Sequence, residues 1–382
     1  MAARRTSPIA SLRLSSQQII GSRCKSPLEV VETLGAIQAQ DYPSALWAVG
    51  LRLPGATQAD VEEAVSARRI VRTWPMRGTL HFVPAADIRW MLTLLTPRVI
   101  AGMATRARQL ELDDKVFARA RKAFAKALQG DRQLSREDIL AVLEQGKIAS
   151  GGQRGYHILA RLAQEGFLCF AGRMGKQQSF ALLDEWVPKS RELDREASIT
   201  ELARRYFSGH GPATLKDFVW WSGLKVSDAR AGIENASAHL TQEVIDGSTC
   251  WLASDHPSGP AHPPRVHLLP GFDEYLLGYQ DRSAVLAAEH APLIVPGNNG
   301  MFLSIIVTQG RVTGTWKTSA KAKATLVSPV SFQPLKKTAA RALADAAKRY
   351  GKFLGTPVMV SDTKSPDLPL PSPQPAHPAA GK

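Results

Sequence analysis

The sequence predicts an α+β protein: tandem winged helix-turn-helix motifs followed by a small antiparallel β-barrel, C-shaped with a basic channel. Three observations predict it. A helix–turn–helix–hairpin order recurs along the first two thirds, the texture turns strand-like after a Pro/Gly-rich break at 254–266, and the positive charge is concentrated in two separate stretches. With 382 residues, 44% of them hydrophobic, the chain can bury more than one core. Its formal net charge of +14 exceeds what solubility requires and favours a polyanionic partner. Residues 64–109 hold eight arginines and one acid, and residues 301–361 hold ten Lys/Arg and one acid. Separate basic stretches on a mixed chain read as one discontinuous face for double-stranded DNA.

The elements follow in order. The first region, 1–130, carries helices near 27–37, 43–53 and 58–67 and then strands 70–74 and 79–83, a winged unit with a different beginning. The second, 131–190, opens at Ser135, which sits three residues before Asp138 as an N-cap should. A Gly-containing turn leads to a helix with Arg154, His157 and Arg161 on one side and Ile158, Leu159 and Leu162 on the buried side. FLCFAGRMGKQQSFALL then reads as a hairpin around a Gly-rich basic loop. The third region, 191–254, repeats the order: GlyProAla opens a helix, SerGlyLeu turns, VSDARAGIENA is the recognition helix, and a wing closes around AspGly. Region 255–361 supplies strands at 266–279, 292–297, 302–307 and 311–317, the last bearing Lys317, and a helix over 338–353. The segment 362–382, rich in Pro, Ala and Ser, cannot offset its ordering entropy and is expected to be a disordered tail.

Several functional classes are excluded. Cys24, Cys169 and Cys250 are scattered, which suits neither a disulfide framework nor a zinc site. The Arg/Ser-rich start has no apolar core of signal-peptide length, and no run approaches the ~18 apolar residues of a membrane span, so the expected location is cytoplasmic, associated with the nucleoid. There is no P-loop, GxSxG or HExxH. The histidines of DHPSGPAHPPRVH lie in a Pro-rich loop without helical ligand spacing and are read as solvated. No metal and no cofactor is expected, and the protein is read as a monomer. In FDEYLLGYQDR, Asp273 and Arg282 bound an apolar strand pair and are read as a structural carboxylate–guanidinium pair.

Two neutral amides, Gln38 and Gln40 in AIQAQDYP, stand where an apolar helix is ending. The spacing allows a helix cap as readily as a functional pair. With RTWPMRGTLHFVPAADIRWML, LLPGFDEYLLGYQDR and GRVTGTWK, this stretch resembles the AlkZ-like DNA glycosylases, within the wider group of winged helix DNA-binding domain-containing proteins. The resemblance spans residues 12–359, and its most specific element is the glutamine–aliphatic–glutamine triplet. It implies a tandem winged-helix and β-barrel fold holding DNA in a concave channel, with Gln38 and Gln40 acting on the water that hydrolyses the N-glycosidic bond. A sister branch, the YcaQ-like enzymes, carries aspartate at the second position; here it is Gln40, with Asp41 one residue later.

The implied chemistry suits amides. A base alkylated on a ring nitrogen is cationic and already a good leaving group, so a general acid is unnecessary. An amide carbonyl can hold the water while its dipole faces the developing sugar cation. Arg72, Arg77 and His81, flanking a GlyThr, are read as DNA or lesion contacts, along with Arg154, Arg161 and Lys317. The expected function is therefore a monofunctional DNA glycosylase for alkylated and crosslinked bases in damaged duplex DNA. The alternative is a non-enzymatic winged-helix protein, a regulator or an accessory factor.

Overall fold

Three sheets organise the chain in a computed structural model that describes residues 8–175, 177–256 and 265–364. The first has six strands in the order Ile37–Gln38, Thr79–Pro84, Ile70–Met76, Leu168–Met174, Gln177–Leu182 and Leu134–Ser135, all antiparallel. It merges two hairpins from regions that read as separate in sequence. The pairing that joins them is Arg72 opposite Phe170.

The helical expectations hold with small shifts. Ser135 accepts the Asp138 N–H and caps Arg136–Gln145, and Arg154–Gln164 buries Ile158, Leu159 and Leu162. Leu215–Ser222 starts after GlyProAla, at a Thr214–Asp217 capping box, and stops at Gly223, whose φ of 71° suits glycine. Val226–Asn235 follows, then the hairpin Leu240–Ile245 and Ser248–Ala253, which turns at Asp246 and Gly247 with φ of 50° and 77°.

The last region differs from expectation. Its sheet is open and curled, not a closed antiparallel barrel: Val266–Leu269, Ile305–Thr308, Arg311–Lys321 and Ala324–Ser331 are antiparallel neighbours, and Val358–Val360 adds a parallel edge strand. The expected strand at 266–279 stops at Leu269, and Glu274–Leu277 forms a short helix capped by the Asp273 carboxylate on the Tyr275 N–H. All four of its residues are buried, which erases the amphipathic signature that separates helix from strand. Residues 292–297 are likewise helical, over Ala291–Ile294 and Pro296–Asn298, with Pro292 in the first turn. The final helix spans Lys337–Leu354. Strand pairing persists as far as Lys364, which bridges to Val330; the rest of the proposed tail lies outside the described residues.

The expected Asp273–Arg282 pair is not formed. Asp273 instead receives both Nη atoms of Arg52, each at 2.8 Å, and both side chains are buried. The remaining Arg52 donors go to the carbonyls of Gln17 and Ala48 and to the Gln17 carboxamide. This one guanidinium thus ties the N-terminal segment, the helix Tyr42–Leu51 and the Asp273 cap. A fully bonded buried pair costs most when half of it is removed, because the surviving charge is left in an apolar interior. Arg52→Met is therefore expected to destabilise folding by about 3–5 kcal/mol in urea unfolding. Adding Asp273→Asn should recover part of that loss, and an undiminished loss in the double variant would contradict the pairing.

Candidate active site

The helix Pro27–Leu34 ends before the glutamines are reached. Gly35, with φ of 74°, turns the chain out of the helix, and Ile37–Gln38 becomes the edge strand of the six-stranded sheet, with Gln38 opposite His81. The expected helix end at Gln38 and Gln40 is thus corrected to an extended segment. Ala39 donates its N–H to Leu80 O at 2.7 Å, and the chain bends at Gln40. There the carboxamide takes over from the backbone: Gln40 Oε1 accepts the Leu80 N–H at 3.2 Å. Neither glutamine side chain bonds a carbonyl of the preceding helix among the described residues, so the capping alternative fails. Asp41 caps the next helix, Tyr42–Leu51, by accepting the Ser44 N–H.

Arg72 grips this segment from the second strand. Its Nε donates to Ala39 O at 2.9 Å and its Nη2 to Gln40 O at 3.3 Å, while Nη1 reaches Gln178 Oε1 on the second hairpin. The guanidinium lies 4.7 Å from the Phe170 ring, and burial lowers its pKa to about 10, which leaves it charged at neutral pH. Gln40 and Arg72 line a cleft of about 590 Å³ with Trp74, Arg136, Tyr156 and Gln178.

On the other side of Gln38 sits a residue the sequence did not single out. At an edge strand every second N–H lacks a strand partner. The Gln38 N–H donates to Glu274 Oε1 at 3.0 Å, and Glu274 Oε2 accepts Trp221 Nε1 at 2.9 Å and lies 3.3 Å from His210 Nε2. Burial alone would raise the Glu274 pKa; the His210 hydrogen bond and the surrounding positive groups, Arg77 among them, hold it at about 2. His81 is also fully buried; burial first, then Arg77, pushes its pKa down to about 3, so the imidazole facing this network is neutral. Arg77 bonds the Trp221 carbonyl and lies 3.4 Å from His81 Nε2, and burial lowers its pKa. Gln38 itself is 8% exposed, and its carboxamide has no hydrogen-bond partner among the described residues.

The other residues singled out in sequence lie apart from this centre. Arg154 is spent on the carbonyls of Ala149, Leu110 and Glu111. Arg161 pairs with Glu165 and covers the Phe117 ring. Lys317 is exposed on Arg311–Lys321, and Arg282 donates its Nε to Leu276 O. No group of three or more His, Cys, Asp or Glu suited to a metal occurs among the described residues. No described helix is long and apolar enough to cross a membrane.

Comparison with known proteins places the whole of this region within one family. A family profile described as AlkZ-like, DNA glycosylase AlkZ-like, matches residues 31–353. A Streptomyces sahachiroi protein named interstrand DNA cross-link repair glycosylase is 28% identical over 313 residues, which cover 76% of this chain and 82% of the relative. The solved structure of Streptomyces sahachiroi DNA glycosylase AlkZ aligns with a TM-score of 0.76 at 22% identity, over 94% of this chain and 100% of that one, a likeness of fold.

The depressed pKa values set an acid sensitivity. A folded-state pKa below the ordinary value contributes stability that is present above the ordinary value and lost as pH falls. For His81 the window runs from 6.5 down to about 3, and for Glu274 from 4.5 down to about 2. Between pH 6.5 and 4.5 the His81 contribution is therefore separable. His81→Gln is expected to flatten the pH dependence of unfolding free energy there by up to about 1.4 kcal/mol per pH unit. An unchanged slope would show that the imidazole is charged in the folded protein.

Proposed function

We propose that this chain, which belongs to the AlkZ-like DNA glycosylase family and is a DNA glycosylase, hydrolyses the N-glycosidic bond of alkylated, cationic bases in duplex DNA, with Gln38 and Gln40 acting on the attacking water. The observation that carries the reading is the Gln38 carboxamide: nearly buried, bonded to no described protein group, and held by a backbone anchored at Gln38 N–H, at both polar atoms of Ala39 and at Gln40 O. An amide left free in a fixed frame is available to a water and a sugar.

The frame suits the chemistry. Glu274 keeps its charge but spends it on Gln38 N–H, Trp221 and His210, so the carboxylate that holds Gln38 is braced, not offered to the cationic base. His81 is neutral and Arg72 is occupied by carbonyls. A Gln38 carbonyl can accept a hydrogen bond from the water, whose proton passes to solvent once its oxygen has bonded C1′, and Gln40, anchored on Leu80 N–H, fixes the neighbouring wall of the cleft. As C1′–N breaks, the cationic base leaves neutral, and the amide dipoles face the charge that builds on the sugar. No lysine lies between Lys25 and Lys115 in sequence, and none lines the cleft, which favours water over a Schiff base as nucleophile.

The helix–helix–hairpin units at 136–182 and 215–253 are read as winged helices that hold the duplex across a basic channel, the protein working as a monomer on nucleoid DNA in the cytoplasm. The relative's name extends the substrate class: an interstrand crosslink is the proposed bulky case. Family membership places the chain among enzymes and speaks against the non-enzymatic alternative.

The test is release of N7-methylguanine from methylated duplex DNA. Gln38→Ala and Gln40→Ala should each cost roughly 10²–10³ in rate, the order seen when one transition-state hydrogen-bonding group is removed. The double variant should lose less than the product, with damaged-DNA binding kept within a few-fold. Affinity for undamaged duplex should fall with salt at a log–log slope of roughly −4 to −8. Because Arg72 holds carbonyls, Arg72→Ala should slow base release while leaving that slope unchanged. Normal release by the double glutamine variant would overturn the assignment.

A further inference from the structure

We propose that Trp220 is a stacking platform for an unpaired nucleobase, with the cationic cleft beside it taking the flanking phosphates; this rests on the reading that the chain works on DNA. The helix Leu215–Ser222 places two tryptophans in succession. Trp221 is fully buried and bonded to Glu274, whereas Trp220 is 44% exposed. Two clefts meet at its ring, and Trp220 and Gln280 line both.

The first cleft, about 610 Å³, is lined by Arg77, Arg98, Lys216 and Arg230 with no Asp or Glu among its lining residues. Lys216 and Arg230 are exposed and form no ion pair among the described residues. The second, about 810 Å³, is mostly apolar and contains Arg282. That guanidinium lies 5.7 Å from the Trp220 ring and 5.1 Å from Phe302. Its buried Nη2 has no hydrogen-bond partner among the described residues.

An aromatic face beside unpaired cations is the chemistry of single-strand nucleic-acid binding: any base can stack, and the phosphates on either side find positive charge. A base inside a duplex has both faces covered and cannot use the indole. Arg77 links the platform to the motif, since it lines this cleft and also reaches His81, the strand partner of Gln38. An unpaired base held at Trp220 would therefore be linked to the glutamine strand through Arg77 and His81.

Fluorescence anisotropy with the full chain tests this. The probes are a fully paired duplex and the same duplex carrying a three-nucleotide unpaired flap. The wild type is expected to bind the flap duplex about tenfold more tightly, the size of roughly one base–aromatic stack. Trp220→Ala should remove that preference and leave paired-duplex affinity within about twofold; Trp220→Phe should retain most of it. A wild type without the preference, or a Trp220→Ala variant that keeps it, overturns the proposal, as does absence of DNA binding. N7-methylguanine release from paired methylated duplex, measured in parallel, separates the two readings: its failure in the wild type would remove the glycosylase assignment while the flap preference is still decided by Trp220.

Discussion

The active-site region depends on one buried carboxylate. Glu274 sits at the meeting of the six-stranded sheet, the helix Leu215–Ser222 and the chain after Val266–Leu269, and it bonds a group from each of the first two as well as His210. A charge there would be prohibitive without partners, so the elements that supply them are held in register with one another. The neighbouring Asp273 does the same for Arg52, and through it for the N-terminal segment. Two consecutive acids on one short turn thus fix both the strand carrying Gln38 and the helix that follows it.

Neutral and charged groups are sorted across this region. Charge is kept where each nitrogen or oxygen of the charged group has a partner, as at Glu274, Arg52 and Arg72. The groups at the motif itself are uncharged, two carboxamides and an imidazole whose burial forbids protonation near neutral pH, while the cleft that Gln40 lines also carries one exposed charge of each sign, Arg136 and Glu137. Neutral groups at the motif suit a cationic leaving group, because a carboxylate placed there would hold the product and a guanidinium would oppose the substrate.

Much of this was legible in sequence, and the misses have physical causes. The cap at Ser135, the AspGly turn and the apolar spacing of 154–164 are local signals, and these elements lie where local signals place them. Gln38 and Gln40 stood out as polar residues in an apolar setting, but the two-residue spacing reflected strand geometry and not a distorted helix. Glu274 escaped notice because its partner Gln38 is 236 positions away, and no local pattern marks an acid in EYLL as buried. Arg52 and Asp273, 221 positions apart, escaped for the same reason, and the nearby Arg282 drew the pairing instead.

The seam between the two hairpins has a mechanical meaning. Arg72 and Phe170 are the residue pair that joins Ile70–Met76 to Leu168–Met174, while each hairpin is laddered along its own length. Side chains close the rest of the seam: Arg72 Nη1 reaches Gln178 Oε1, and the Trp74 and Phe170 rings lie 5.1 Å apart. The glutamine segment is anchored to the first hairpin by Ala39, Gln40 and Arg72, whereas Phe180 and Gln178, on the far wall of the cleft, belong to the second. The two walls are therefore coupled through one side chain: the guanidinium that holds Ala39 O and Gln40 O also holds Gln178, so a shift of the second hairpin is transmitted to the glutamine segment by Arg72.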